Sequence, residues 1–154
     1  MIQRIQTLFL LGALVCTGLF FFLPFGNLVN KDLSEIAIII TGVSFVKGDS
    51  TVSYPMTPLL IMFIIINLIT LTSIFLFKKR MLQIRLSVFN AIMQLGSFGM
   101  LFFYLADISK KSGLDYNTGI LVILPLVAAI LSFLAMRAIA KDEALVRSVS
   151  RLRK

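Results

Sequence analysis

The polar side chains inside the long apolar segments of this sequence are the residues best able to make specific interactions. Six candidates among them lie in two consecutive segments: Asn67, Thr70, Ser73, Asn90, Gln94 and Ser97. Asn90, Gln94 and Ser97 follow the i, i+4, i+7 spacing that places side chains on one face of a helix. Amides and hydroxyls in such positions either hydrogen-bond between neighbouring helices or line a polar path.

Asn67 and Gln94 lie near the middle of their segments, and a short loop joins the two segments. Antiparallel helices would bring these amides to the same depth, where we expect them to hydrogen-bond to each other. Thr70 and Ser73 lie at depths that suit Asn90. We interpret all six residues as candidate contacts between helices. The alternative is a polar path, but transport chemistry within a membrane usually leaves an ionisable residue in the spans.

The composition excludes several kinds of reactive site. The chain has no His and a single Cys, Cys16. It therefore cannot assemble a zinc site of Cys and His ligands, an internal disulfide, or a catalytic pair that contains His. Every Asp and Glu lies outside the apolar segments, and no phosphate-binding or nucleophile motif is present. The sequence predicts no enzyme, no catalytic residue, no cofactor and no metal site.

The apolar segments themselves are typical of a membrane protein. Of 154 residues, 58% are hydrophobic and 14% are charged, and the mean hydropathy is +0.98. A bilayer core of roughly 30 Å requires about 20 helical residues. Segments 5–23, 56–77, 86–106 and 119–136 meet this requirement and contain no Asp, Glu, Lys or Arg. The predicted fold is an all-α membrane protein, a four-helix transmembrane bundle forming one domain over 1–154. Pro125 predicts a kink in the fourth helix.

The charges are distributed unequally between the two sides of such a bundle. One side, with both termini and the loop after the second span, carries eleven Lys and Arg against two acidic residues. The opposite side carries four Lys against five acidic residues. The positive-inside rule therefore predicts that both termini lie in the cytoplasm. We expect the first span to be a retained helix because "FFFLPFGN" lacks the small residues of a cleavage site. The bulky Val15 disfavours lipid attachment at Cys16.

The segment between the first two spans, residues 24–55, is rich in strand-forming residues. "IAIII" is too short to span a bilayer, and "SFVKGDSTVSY" predicts a hairpin that turns around residues 47–49. We expect a small sheet outside the membrane, over the helix ends. Its apolar face consists of Ile36, Ile38, Ile40 and Phe45. We expect this face to pack on the helices of the same chain, or alternatively on a partner. The second outer loop, "DISKKSGLDYN", is short and polar, and we assign it no role.

The cationic residues on the cytoplasmic side are first a topology signal. We also regard seven of them as candidate contacts with the anionic inner leaflet: Lys78, Lys79, Arg80, Arg85, Arg147, Arg151 and Arg153. The tail, residues 137–154, predicts a short basic amphipathic helix along the inner leaflet. The alternatives are a solvated tail or a docking site for a partner protein. Because the excess charge marks one side of the bilayer, we expect no nucleic-acid partner.

The two ends of the chain carry a family resemblance. The opening "MIQRIQTLFLL" and the closing "RAIAKDEALVRSVSRLR" resemble the DUF4293-type family of small four-helix membrane proteins from Bacteroidetes-type bacteria. This resemblance covers essentially the whole chain, implies the bacterial inner membrane and implies no activity. The plan of the chain is also similar to claudin-like proteins, but their loop Trp and paired Cys are absent here.

The sequence thus favours a non-enzymatic integral membrane protein. The predicted spans take up about half of the chain, no charge lies within them, and little soluble mass remains outside. We expect an accessory, scaffold or assembly subunit of a larger inner-membrane complex. The alternative is a small transporter or channel, working as a homo-oligomer, whose path is lined by Asn67, Asn90, Gln94 and Ser97.

Overall fold

The computed structural model describes residues 3–29, 35–47, 50–77 and 79–152. The described residues form four α-helices: α1 (Gln3–Gly18), α2 (Thr57–Phe75), α3 (Arg80–Ser112) and α4 (Leu124–Leu152). Two short 3-10 turns, Leu19–Phe21 and Ile120–Ile123, follow α1 and precede α4. The described residues also form five strands: β1 (Gly26–Val29), β2 (Glu35–Ile38), β3 (Gly42–Lys47), β4 (Ser50–Pro55) and β5 (Asp115–Thr118).

The four helices form a closed ring in chain order. α1 packs against α2 and α4, and α3 also packs against α2 and α4. The α2–α3 connection is only four residues long, which makes these two helices antiparallel. Each helix therefore has two main neighbours and one outward face.

Within the described residues, three helices are long and apolar enough to cross a membrane: Thr57–Phe75, Arg80–Ser112 and Ile120–Val146. The first predicted span corresponds to a shorter apolar helix, Ile5–Phe21. It is shorter because the α-helix ends at Gly18 and tightens into a 3-10 turn before Pro24, and a proline disfavours helical geometry in the preceding residue.

Two helices extend beyond the predicted spans on the basic side of the bundle. α3 begins at Arg80, so Arg80 and Arg85 belong to a helix and not to the loop. Residues 137–152 continue α4 without interruption, so the basic tail is not a separate helix along the inner leaflet. Its residues favour helix and already have helical neighbours before them, so extending α4 requires no new nucleation.

Pro125 lies at the start of an α-helix and not inside one, where the kink was predicted. Pro125 is the second residue of α4 and follows the 3-10 turn Ile120–Ile123. In the first turn of a helix the missing N–H has no intrahelical acceptor to lose, so proline is tolerated there without a bend.

The strands form two antiparallel sheets at the end of the bundle away from the α2–α3 connection. The first has the order β2-β1-β5, with Leu28 opposite Ile36 on one side and Tyr116 on the other. The second is the predicted hairpin, β3 paired with β4, in which Lys47 is opposite Ser50. Its turn residues, 48–49, lie outside the described residues. The second outer loop, to which we assigned no role, supplies β5.

The sheets pack on the helices of the same chain. Ile38 and Ile40 are buried in one cluster with residues of α2 and α3, and Ile36 is partly buried against it. Aromatic rings continue this cluster: Phe20 stacks on Phe25 at 5.5 Å and on Phe63 at 4.8 Å between ring centroids. The side chain of Phe45 lies outside the described part of the chain. The predicted apolar face is thus buried within the protein at Ile38 and Ile40.

A tight turn joins the two sheets. Ile39 and Gly42 exchange two backbone hydrogen bonds, of 3.0 and 3.4 Å, around residues 40 and 41. Gly42 has φ of +134°, and a Cβ atom there would overlap the carbonyl oxygen of Tyr54. Only glycine adopts this conformation readily.

We expect Gly42→Ala to lower the free energy of unfolding by about 1–3 kcal/mol, because alanine at this φ is strained and collides with a paired strand. Gly99→Ala is the matched control, since Gly99 lies in α3 and a Cβ there meets nothing within 4 Å. The control should be neutral or slightly stabilising. Denaturant titration of both variants in detergent micelles measures the difference, and equal stability of the two would contradict this account of the turn.

Candidate functional site

The polar residues predicted inside the spans face the interior of the bundle. Thr70, Ser73, Asn90, Gln94 and Ser97 are fully buried, each with 0% exposure. Asn67 is half-buried. Asn90, Gln94 and Ser97 lie on one face of α3, as their spacing indicates.

The contact between α2 and α3 joins two of these residues. Asn90 donates from Nδ2 to Thr70 Oγ1 over 2.8 Å, and the Thr70 hydroxyl donates to the carbonyl oxygen of Ile66 at 2.7 Å. Ser73 does not bond to Asn90; its Oγ has no hydrogen-bond partner among the described residues. Ser97 donates to the carbonyl oxygen of Gln94, so this bond lies within α3 and joins no second helix.

The expected pair of Asn67 and Gln94 is not formed. Asn67 Oδ1 lies 3.1 Å from Thr17 Oγ1 of α1, and Asn67 Nδ2 donates to the carbonyl oxygen of Phe63. Gln94 Oε1 accepts a 2.9 Å bond from Ser132 of α4. The two amides lie near the same depth but face different neighbouring helices. The spacing along the chain indicates depth, whereas the neighbour depends on how each helix is rotated in the ring.

Together these bonds connect every adjacent pair of helices in the ring. Thr17 and Asn67 join α1 to α2, Thr70 and Asn90 join α2 to α3, and Gln94 and Ser132 join α3 to α4. The fourth contact is Gln6 Nε2, which donates to the carbonyl oxygen of Ala138 at 3.2 Å and joins α1 to α4. We call these four contacts the polar ring.

Sequence reasoning missed Gln6, Thr17 and Ser132, the partners that complete the polar ring. Ser132 is the only polar residue between Leu124 and Met136, and Thr17 is one of three polar residues in segment 5–23. An isolated hydroxyl in an otherwise apolar helix could therefore have indicated these contacts between helices. Polar side chains are common where transmembrane helices meet.

The basic residues proposed to contact lipid are partly described. Arg80 forms an ion pair with Asp142 at 3.1 Å and lies 4.0 Å from Glu143, and its side chain is 26% exposed. Lys79 and Arg85 are exposed. Lys78 and Arg153 lie outside the described residues, as do the side chains of Arg147 and Arg151. The Arg80–Asp142 pair connects the first turn of α3 to the extended end of α4.

Two grooves flank this ion pair. One, of about 510 Å³, is lined by Lys79, Arg80, Met81, Leu82, Glu143 and Val146. The other, of about 270 Å³, is lined by Ile5, Ala138, Lys141, Asp142 and Leu145. Both combine charged groups with apolar side chains. Within the described part of the chain, no three His, Cys, Asp or Glu side chains come close enough to hold a metal ion.

The comparison with known families yields one match. The model of a family described as "Domain of unknown function (DUF4293)" matches residues 2–152. No curated protein matches this chain.

We expect a measurable coupling between Thr70 and Asn90, because both side chains are fully buried and bulk water cannot replace their bond. In a double-mutant cycle of Thr70→Ala and Asn90→Ala, the coupling energy should be about 0.6–1.7 kcal/mol. The measurement is the free energy of unfolding of the four proteins in bicelles.

Thr72→Ala combined with Asn90→Ala is the control cycle. Thr72 is exposed, lies two residues from Thr70 and donates only within α2, to the carbonyl oxygen of Leu68. Its coupling to Asn90 should be near zero. Equal coupling in the two cycles would show that the Thr70–Asn90 contact is not specific.

Proposed function

This chain belongs to the DUF4293 family of unknown function, and we propose that it is a non-enzymatic accessory or assembly subunit of a larger complex in the bacterial inner membrane. The observation that carries this proposal is the polar ring. The three amides that would line a solute path, Asn67, Asn90 and Gln94, instead bond to neighbouring helices, which stabilises the bundle. A rigid bundle that carries an ordered outer layer suits a role in assembly.

The outward faces of the helices support a lipid environment. All four helices expose large apolar side chains, for example Leu8 at 68%, Leu68 at 57%, Phe103 at 68% and Ile130 at 54%. Only about 28–33% of the apolar windows of α2, α3 and α4 is buried inside the protein. An apolar surface of this extent is typical of helices that face lipid.

The distribution of charge supports an orientation with both termini in the cytoplasm. The α2–α3 connection and the end of α4 carry the basic residues, and the two sheets lie at the opposite end. In this orientation the sheets face away from the cytoplasm. Lys79 and Arg85 are exposed on the cytoplasmic side, where they would contact anionic headgroups.

The absence of Asp, Glu, Lys and Arg from the predicted spans supports a role without catalysis. The described carboxylates nearest to the bundle, Asp107, Asp142 and Glu143, lie towards the ends of α3 and α4 and pair with cations or lie beside one. A proton relay or general acid within a membrane usually requires such a group inside a span.

A transporter or channel is the second candidate function. Four buried polar atoms of uncharged side chains on α2 and α3, without hydrogen-bond partners among the described residues, favour it. If transport is the function, replacing both Asn67 and Gln94 by Leu should abolish solute flux in reconstituted vesicles. If the accessory role is correct, this variant should stay folded with a modest loss of stability.

The orientation predicts which thiols react from outside the cytoplasm. In a Cys16→Ser background, Asn117→Cys on exposed β5 should react with a membrane-impermeant maleimide in intact spheroplasts. Ser148→Cys, exposed on α4, should react only after lysis. Labelling of both denatured proteins controls for intrinsic reactivity. Reaction of Ser148→Cys in intact spheroplasts would reverse the proposed orientation.

The accessory role predicts a defined complex in native membranes. Purification of the tagged chain in a mild detergent, followed by native mass spectrometry, should yield one larger membrane complex with fixed stoichiometry. Gly99→Ala should retain the partner, because it leaves the fold intact. Recovery of the chain only as a homo-oligomer would refute the accessory role and favour transport.

A further inference from the structure

Four polar atoms in the interior of the bundle lack a hydrogen-bond partner among the described residues. They are Ser73 Oγ, Ser87 Oγ, Asn90 Oδ1 and Gln94 Nε2. All four side chains are fully buried, with 0% exposure. Buried polar atoms are nearly always hydrogen-bonded to protein or to ordered water, so a group of four requires an explanation.

The Thr70–Asn90 bond shows that the two serines lie at nearly one level, with Asn90 less than one helical turn away. It pairs the two antiparallel helices α2 and α3 at these positions. Ser73 follows Thr70 by three residues, and Ser87 precedes Asn90 by three. Both serines therefore lie about 4.5 Å closer to the α2–α3 connection. They share the helix faces of Thr70 and Asn90, respectively.

The chemistry of these three atoms is complementary to one small molecule. Asn90 Nδ2 already donates to Thr70, so its Oδ1 remains as an acceptor. The serine hydroxyls can each donate and accept. They lie on facing helices at the same depth but form no bond to each other. Three polar partners are the typical number for a buried water.

We propose that a water molecule binds between α2 and α3, bridging Ser73, Ser87 and Asn90. The water donates to Asn90 Oδ1 and to one serine Oγ, and it accepts from the other serine hydroxyl. Each of the three unpartnered oxygens then has a hydrogen bond. This buried water joins the two helices one turn below the polar ring contact of Thr70 and Asn90.

Gln94 Nε2 extends the same polar strip. It lies on the same face of α3, about one helical turn beyond Asn90, and its Oε1 is already bonded to Ser132. The unpartnered atoms of Ser87, Asn90 and Gln94 therefore extend over about 10 Å along α3. The buried water does not depend on the accessory role or on a partner, so its test is independent of both.

Serine-to-alanine variants test the proposal by the sign of their effect. If the water bridges the serines, Ser73→Ala and Ser87→Ala should each raise the unfolding equilibrium constant about threefold to tenfold, since each loses a hydrogen bond. The double variant should lower the free energy of unfolding by less than the sum of the two single changes, because both changes remove contacts to one water. If the serines are dry, alanine should be neutral or stabilising.

Ser148→Ala is the matched control. Ser148 is an exposed serine of α4 that donates to the carbonyl oxygen of Leu145. Its replacement measures two effects that any serine-to-alanine change in a helix has: the higher helix propensity of alanine, and the loss of the bond from the serine hydroxyl to the helix backbone. The effects of the buried variants are taken relative to it. Neutral or stabilising values at both buried sites would overturn the proposal.

Water-to-protein magnetisation transfer in lipid bilayers gives a second readout. The side-chain amide of Asn90 should receive magnetisation from water on the millisecond timescale, and the Ser73→Ala/Ser87→Ala variant should lose most of this transfer. The backbone amide of Ala128, fully buried in α4, is the dry control. An Asn90 signal as weak as that of Ala128 in the unmodified protein would overturn the proposal.

Discussion

A polar side chain inside an apolar bundle has few possible partners, and this constraint shapes the interior of the protein. Neither lipid nor an apolar core accepts a hydrogen bond, so each amide and hydroxyl must find a backbone carbonyl, a neighbouring helix or a buried water. The polar ring satisfies this requirement at all four helix contacts. Each such bond is worth only about 0.6 kcal/mol on average. Their main effect is therefore to define which helices are neighbours and in which register.

The outer layer applies a second constraint at one end of the bundle. β1 follows α1 directly, whereas β5 comes from the α3–α4 connection, and the two strands pair. Gly119 also donates from its backbone N–H to the carbonyl oxygen of Phe25 at 3.0 Å. The sheet thus joins segments more than 80 residues apart in sequence. The buried cluster beneath it, with Phe20, Phe63 and Leu105, couples the sheet to the helices.

At the opposite end of the bundle, an ion pair between α3 and α4 connects the helices. The only two acidic residues of the basic side, Asp142 and Glu143, both lie near Arg80. A partly exposed pair of this kind contributes little to stability, about 0–1 kcal/mol. Its position matters more, because it holds the extended end of α4 beside the start of α3 and shapes the two grooves there.

The sequence by itself determined the helical class, the positions of the apolar segments, the outer hairpin and the inward face of α3. These features depend on local composition and periodicity, which are visible in one chain. Two features depended on the tertiary structure: the separation of Asn67 from Gln94 and the recruitment of β5. Periodicity describes one helix or strand at a time. The rotation of each helix in the ring, and the pairing of distant strands, follow only from packing all the elements together.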